Sequence, residues 1–173
     1  SMIQSLLFVA TLTLSPGQAH SAESANASVV LRAPMAVSAL DRGLKLMADK
    51  KYPEAVAKLE REARVNPGSS ELLLNLGWAY WHAGRIEDAR RVGSMLLKLD
   101  PRNRVFMIFM ANTNIERKDY GAAVELLRRA LEQAPDDRDA SMVLARALFL
   151  DGRRMAALSV IEGVIARLPG DAG

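Results

Sequence analysis

An all-α architecture of repeated helix pairs is predicted by three observations. Prolines recur at Pro67, Pro101, Pro135 and Pro169, each 34 residues after the one before. Alanines Ala55, Ala89, Ala123 and Ala157 keep the same step of 34. Only 5% of the 173 residues are aromatic while Ala and Leu abound, which favours helices over a β-sandwich. Two residue types in one register point to an internal repeat. Four units follow, 36–69, 70–103, 104–137 and 138–171, with 1–35 standing before them as a leader.

The leader comes first in the chain. Ser1 ahead of Met2 reads as a residue left by tag removal, outside the fold. Leu6 to Leu14 is an apolar run, followed by Ser15-Pro16-Gly17 and a small, polar stretch from His20 to Ala27. Ala25-Asn26-Ala27 has the small-x-small form of a signal-peptidase site, so the segment has the order of a secretory signal. No Lys or Arg lies between Met2 and Leu6, so the positive start of such a signal is absent. The alternative is an apolar segment that packs on the domain. The run is well short of the ~20 residues of a spanning helix. The expected location is therefore periplasmic or secreted, or cytoplasmic if the leader is not a signal.

Each unit reads as two helices. In the second, Ser69-Ser70 offers an N-cap with Glu71 near the helix start. Leu72, Leu73, Leu76, Trp78, Tyr80 and Trp81 follow, and Gly84 closes the helix. A second helix begins near Ile86 and runs to Leu99, where Asp100-Pro101 stops it. Asn103 and Asp137 cap the first helices of units three and four, and Pro53 sits in the first turn of a second helix. The last helix, Arg153 to Leu168, holds more apolar residues than one buried stripe requires. It is expected either to be continued by further chain or to meet a partner or a second copy, the alternative being the apolar exposure that is normal at a protein surface.

Composition limits the chemistry. The chain is 50% hydrophobic and 25% charged, which excludes both a disordered protein and a membrane bundle. It has no cysteine, so disulfides, thiolate metal sites and cysteine catalysis are excluded. Its two histidines, His20 and His82, make no metal-binding pair, and no phosphate-binding glycine loop or nucleophile elbow is present. Glu87-Asp88 and Asp136-Asp137 lie at helix starts, where they complement the helix dipole. The net charge is only +3. The doublets Arg90-Arg91, Arg128-Arg129 and Arg153-Arg154 fall at different repeat positions, so they form no single basic stripe. Neither an enzyme, a cofactor, a metal nor a nucleic-acid partner is expected.

The repeat resembles the tetratricopeptide repeat, a 34-residue helix–turn–helix. Leu76-Gly77 with Tyr80 carry its first-helix pattern, and Gly43, Ala111 and Ala145 supply the small position in the other units. Tyr52 and Tyr120 match at the turn. Leu59, Leu127 and Ile161 take the large apolar site of the second helix, and Ala130 its later small site. Three residues depart from the pattern: Gly93 at a large apolar site, Asn114 at an aromatic site and Glu62 at a small one.

The resemblance implies a right-handed superhelical solenoid of antiparallel helix pairs. It also implies a concave groove, lined by the first helices, that takes a peptide, an amphipathic helix or an apolar segment of another protein. By repeat position the lining is Leu40, Leu44 and Met47 from unit one and Leu74, Trp78 and Trp81 from unit two. Unit three adds Ile108, Asn112 and Ile115, and unit four Met142, Arg146 and Phe149. Trp78 and Trp81 are the expected anchors, and Asn112 and Arg146 the groups that orient a ligand. Leu40 and Leu44 replace the polar pair with which some members clamp a terminal carboxylate. The function implied is a non-enzymatic scaffold, exported and acting in cell-envelope assembly. The alternatives are a chaperone for apolar segments and a regulatory region of a longer enzyme.

Overall fold

A computed structural model describes residues 40–168. The leader 1–35, its signal-like features and Pro169 lie outside the described residues. Helix α1 covers residues 40–48. It is followed by α2 (Tyr52–Val65), α3 (Ser70–His82), α4 (Ile86–Leu99), α5 (Arg104–Glu116), α6 (Tyr120–Gln133), α7 (Arg138–Leu150) and α8 (Arg154–Ile165). The even-numbered helices start at 52, 86, 120 and 154, and α3, α5 and α7 at 70, 104 and 138, a constant step of 34. The odd helices are called A and the even ones B.

Local chemistry starts and ends these helices. Ser69, Asn103 and Asp137 have extended backbone and cap α3, α5 and α7 by accepting from Leu72 N–H, from Val105 and Phe106 N–H, and from Ala140 N–H. Pro53 lies in the first turn of α2, where its missing N–H costs nothing. The A helices share one C-terminal device. After α3, Arg85 N–H donates to Tyr80 C=O and Gly84 N–H to Trp81 C=O, with Gly84 at φ +75°. After α7, Arg153 N–H donates to Leu148 C=O, with Gly152 at φ +80°. This is a Schellman ending. Lys50 and Lys118 take the same place after α1 and α5, at φ 56° and 61°.

Packing is between neighbours. Each A helix from α3 onward packs on its own B helix and on the preceding one, and α3, α5 and α7 also touch in sequence. The core is accordingly three linked clusters. The first joins α1 and α2 to Leu72, Leu76 and Ala79 of α3. The second joins α3 and α4 to Phe106 and Phe109 of α5, and the third joins α5 and α6 to α7 and α8. This is the one-dimensional arrangement expected of a repeat protein.

Phe109, fully buried, explains a departure seen in the sequence. A Cβ on Gly77 would fall 2.6 Å from its Cζ, and a Cβ on Gly93 would fall 3.3 Å from its Cε1 and 2.7 Å from Met110 Sδ. Gly93 stands at a site that is Leu59 or Leu127 elsewhere. Its missing volume is filled from α5, so the pair Gly93–Phe109 exchanges sizes across the interface.

Candidate protein-binding surface

The A helices carry every side chain that the sequence assigns to a groove, and the structure sorts them by depth. Leu40 and Met47 of α1 are half-buried and pack against the first cluster, while Leu44 is exposed. Leu74, Trp78 and Trp81 of α3 are half-buried against the second cluster. In α5, Ile108 is half-buried, but Ile115 is only 3% and Asn112 8% exposed. Asn112 Nδ2 donates to Ile108 C=O at 2.9 Å, so that donor is spent within its own helix. In α7, Met142, Arg146 and Phe149 are exposed.

Repeat position alone does not set depth: Ile115 stands where Trp81 and Phe149 stand in their units, yet it belongs to the cluster that joins α5 to α6, α7 and α8. The side chain of Ile115 is core and out of a ligand's reach. Trp78 and Trp81 divide between core and surface. Trp78 meets Phe109 edge to face at 4.9 Å and Trp81 at 5.8 Å. Trp81 stands against His82 at 4.9 Å, and His82 stacks on Tyr52 at 4.8 Å with an interplanar angle of 11°. Trp81 Nε1 is enclosed and has no acceptor among the described residues. The indoles are thus held in place on the α3 face by neighbouring rings.

A polar clamp ties the first unit to the second. Tyr80 Oη donates to Glu60 Oε1 at 2.8 Å. Arg85 bridges Glu60 at 3.3 Å and Asp88 at 2.8 Å while its guanidinium lies 4.6 Å from the Tyr80 ring centroid. Burial, then the hydrogen bond to the Glu60 carboxylate, pushes the Tyr80 phenol up to about 12. Hydrogen bonds from Arg90 and Arg117 hold the Glu87 carboxyl below its usual range. Arg117–Glu87 at 2.7 Å and Arg146–Glu116 at 2.8 Å cross from one unit to the next. Arg85, Arg90, Arg91, Arg104, Arg117 and Arg146 are each paired with a neighbouring carboxylate, in keeping with a solvated, mixed-charge face.

Beside the α7 residues assigned from the sequence, the structure sets residues of α8. Met142, Ala145, Arg146 and Phe149 of α7 face Arg154, Ala157, Leu158 and Ile161 of α8 across a trough of about 420 Å³. The repeat register held the signal for it. Each of the α8 residues stands 34 positions after one that packs beneath α7, namely Tyr120, Ala123, Val124 and Leu127. Among the described residues no helix is long and apolar enough to cross a membrane.

Comparison with known proteins agrees with this geometry. Family models described as tetratricopeptide repeat match residues 40–104 and 114–172. A curated relative, mouse tetratricopeptide repeat protein 21A, is 24% identical over 91 residues, which is 53% of this chain and 7% of that protein's length. The human protein of the same name matches to the same extent. The chain thus spans a small fraction of the curated relatives it matches. Among solved structures, a thermophilic TPR protein of Thermus thermophilus superposes with a TM-score of 0.69 at 20% identity, covering 76% of this chain and 73% of that one. MamA of Desulfovibrio magneticus superposes with a TM-score of 0.67 at 21% identity, covering 76% and 74%. At such identities the likeness is one of fold. With its 34-residue step, its helix pairs and its matched segments, the chain belongs to the tetratricopeptide repeat family.

Proposed function

We propose that this protein is an exported scaffold of the cell envelope that captures a peptide or helix of another protein on its A-helix face. That it is a protein–protein interaction scaffold follows from the family, whose members are generally non-enzymatic. The observation that supports the finer reading is the apolar surface left by successive A helices. Leu44 is 38% exposed, and Leu74, Trp78 and Ile108 remain half-exposed after packing. An extended or helical apolar segment suits such a row, with the pinned indole of Trp78 as its anchor. The signal-like leader motivates the periplasmic or secreted location.

Two measurements test this. Affinity capture from the native host would compare the wild-type protein with Leu44→Asp and Trp78→Ala, each first shown by circular dichroism to be folded. Loss of the same partner in both variants is expected, and equal capture counts against the groove. Sequencing of the mature N-terminus tests export: cleavage near Ala27 is expected, and an intact cytosolic chain overturns that part.

A further inference from the structure

α2 and α4 end alike on their outer sides. At about 100° per residue, Arg61 and Arg64 of α2 lie opposite the buried Leu59, and Met95 and Lys98 of α4 lie opposite the buried Gly93. Arg61 and Met95 share one repeat position, and Arg64 and Lys98 share another. Each helix closes on an apolar residue at a third shared position, Val65 at 56% exposure and Leu99 at 60%. Met95, one turn before Leu99, is 48% exposed. Arg102 follows in the turn after α4. Arg129 of α6 reaches that turn, donating from Nη2 to Pro101 C=O at 3.3 Å.

Arg61, Arg64, Lys98, Arg102 and Arg129 are exposed, and none is paired with a carboxylate among the described residues. The carboxylates at these two helix ends are engaged locally. Glu62 accepts from Asn66 Nδ2 at 2.7 Å, and Asp100 accepts from Arg102 N–H and Asn103 Nδ2. Arg64 and Lys98 also complement the dipoles of their helices, but Arg61, Arg102 and Arg129 close no helix. Single exposed apolar side chains are ordinary. Here they recur in register among unpaired cations. One unit on, the same positions hold Glu132 and Gln133, so the pattern stops at α6.

We propose that this ridge seats the protein on the face of a membrane that carries anionic lipid. Val65, Met95 and Leu99 dip below the headgroups, and the cations lie among the phosphates. An acidic protein would answer the charge, but it gives no reason for apolar side chains at the projecting ends of the helices. A boundary between charged headgroups and hydrocarbon accounts for both. The A helices pack on the opposite side of α2 and α4, so such docking leaves the row from Leu44 to Ile108 free.

The test mixes the full chain with vesicles of phosphatidylcholine alone or of an equal mixture with phosphatidylglycerol. Sedimentation should recover the protein with the mixed vesicles only, and less of it as salt rises. Lys98→Glu combined with Arg102→Glu should weaken binding by about tenfold or more. Lys51→Glu with Arg153→Glu makes the same charge change at exposed positions beside the opposite turns, and should leave binding within about twofold of wild type. Because the chain has no cysteine, Leu99→Cys can carry a nitrobenzoxadiazole dye at one place. Its emission should brighten and shift to the blue on the mixed vesicles, while the same dye on Leu44→Cys should not respond. Every variant is first matched to wild type by circular dichroism. Equal binding to phosphatidylcholine alone overturns the proposal. So does undiminished binding of Lys98→Glu with Arg102→Glu, which would assign the attachment to the apolar run from Leu6 to Leu14. A dye on Leu99→Cys that stays in water also overturns it, and would mark the ridge as an electrostatic surface for an acidic protein.

Discussion

Lys118 ends α5 in a backbone region that side chains rarely adopt, at φ 61°. Gly84 and Gly152 do the same work after α3 and α7 without a Cβ penalty. The left-handed conformation costs an L-residue about 1 kcal/mol or more. Lys118→Gly is therefore expected to stabilise the protein by about 0.5–1 kcal/mol, after allowing for glycine's greater entropy when unfolded. Urea unfolding measures this, and a destabilised variant would show that the lysine side chain contributes something the ending does not explain. Tyr80 offers a second residue-scale test. Its phenol is pushed from 10 to about 12 in the fold. The neutral form is the one the fold favours, so its contribution is complete below pH 10 and is lost as pH rises toward 12. Tyrosinate absorbance should show Tyr80 titrating late, and Tyr80→Phe should remove that step along with its part of the alkaline loss of stability.

Between elements, volume exchange sets the strength of an interface. Phe109 reaches from α5 between Gly77 of α3 and Gly93 of α4. Gly77→Ala would drive a methyl into a fully buried ring with no room to turn. A cost of about 1–3 kcal/mol is expected. Phe109→Ala should cost about 3–5 kcal/mol by leaving a cavity. If the crowding is specific, Gly77→Ala combined with Phe109→Leu should cost less than the sum of the two singles. Additive losses in thermal melts would contradict it. The α7 start combines two roles in one carboxylate, since Asp137 Oδ1 caps Ala140 N–H and Oδ2 pairs with Arg104. Asp137→Ala should cost about 1–2 kcal/mol, mostly from the lost cap because the ion pair is partly exposed. Asp137→Asn should recover most of it.

Over the whole molecule, the linear chain of clusters predicts uneven stability. α3 to α6 have packed neighbours on both sides, whereas α8 closes the described array and leaves its trough open. In repeat arrays the stability of a unit depends on its nearest neighbours. Amide exchange should be slowest in α4, α5 and α6 and faster in α7 and α8. Uniform protection along the chain would mean that the repeats melt as one unit, or that the last trough is already covered.

The step of 34 residues, the caps at Ser69, Asn103 and Asp137 and the stop at Gly84 were all legible in the sequence. They depend on backbone chemistry within a few residues, and a repeat shows the same chemistry several times. The family could be read for the same reason. Depth was a different matter. Ile115 and Phe149 share a repeat position, yet one is core and the other open, because among the described residues only the first has a helix packed over it. Gly93 shows in the sequence only as a departure from the repeat, because the Phe109 ring that fills its space comes from a position sixteen residues on. Sequence by itself determined that this chain is an array of helical hairpins of the tetratricopeptide type. Tertiary structure alone decided which faces of those hairpins remain open, since burial is a property of neighbours and not of the residue that is buried.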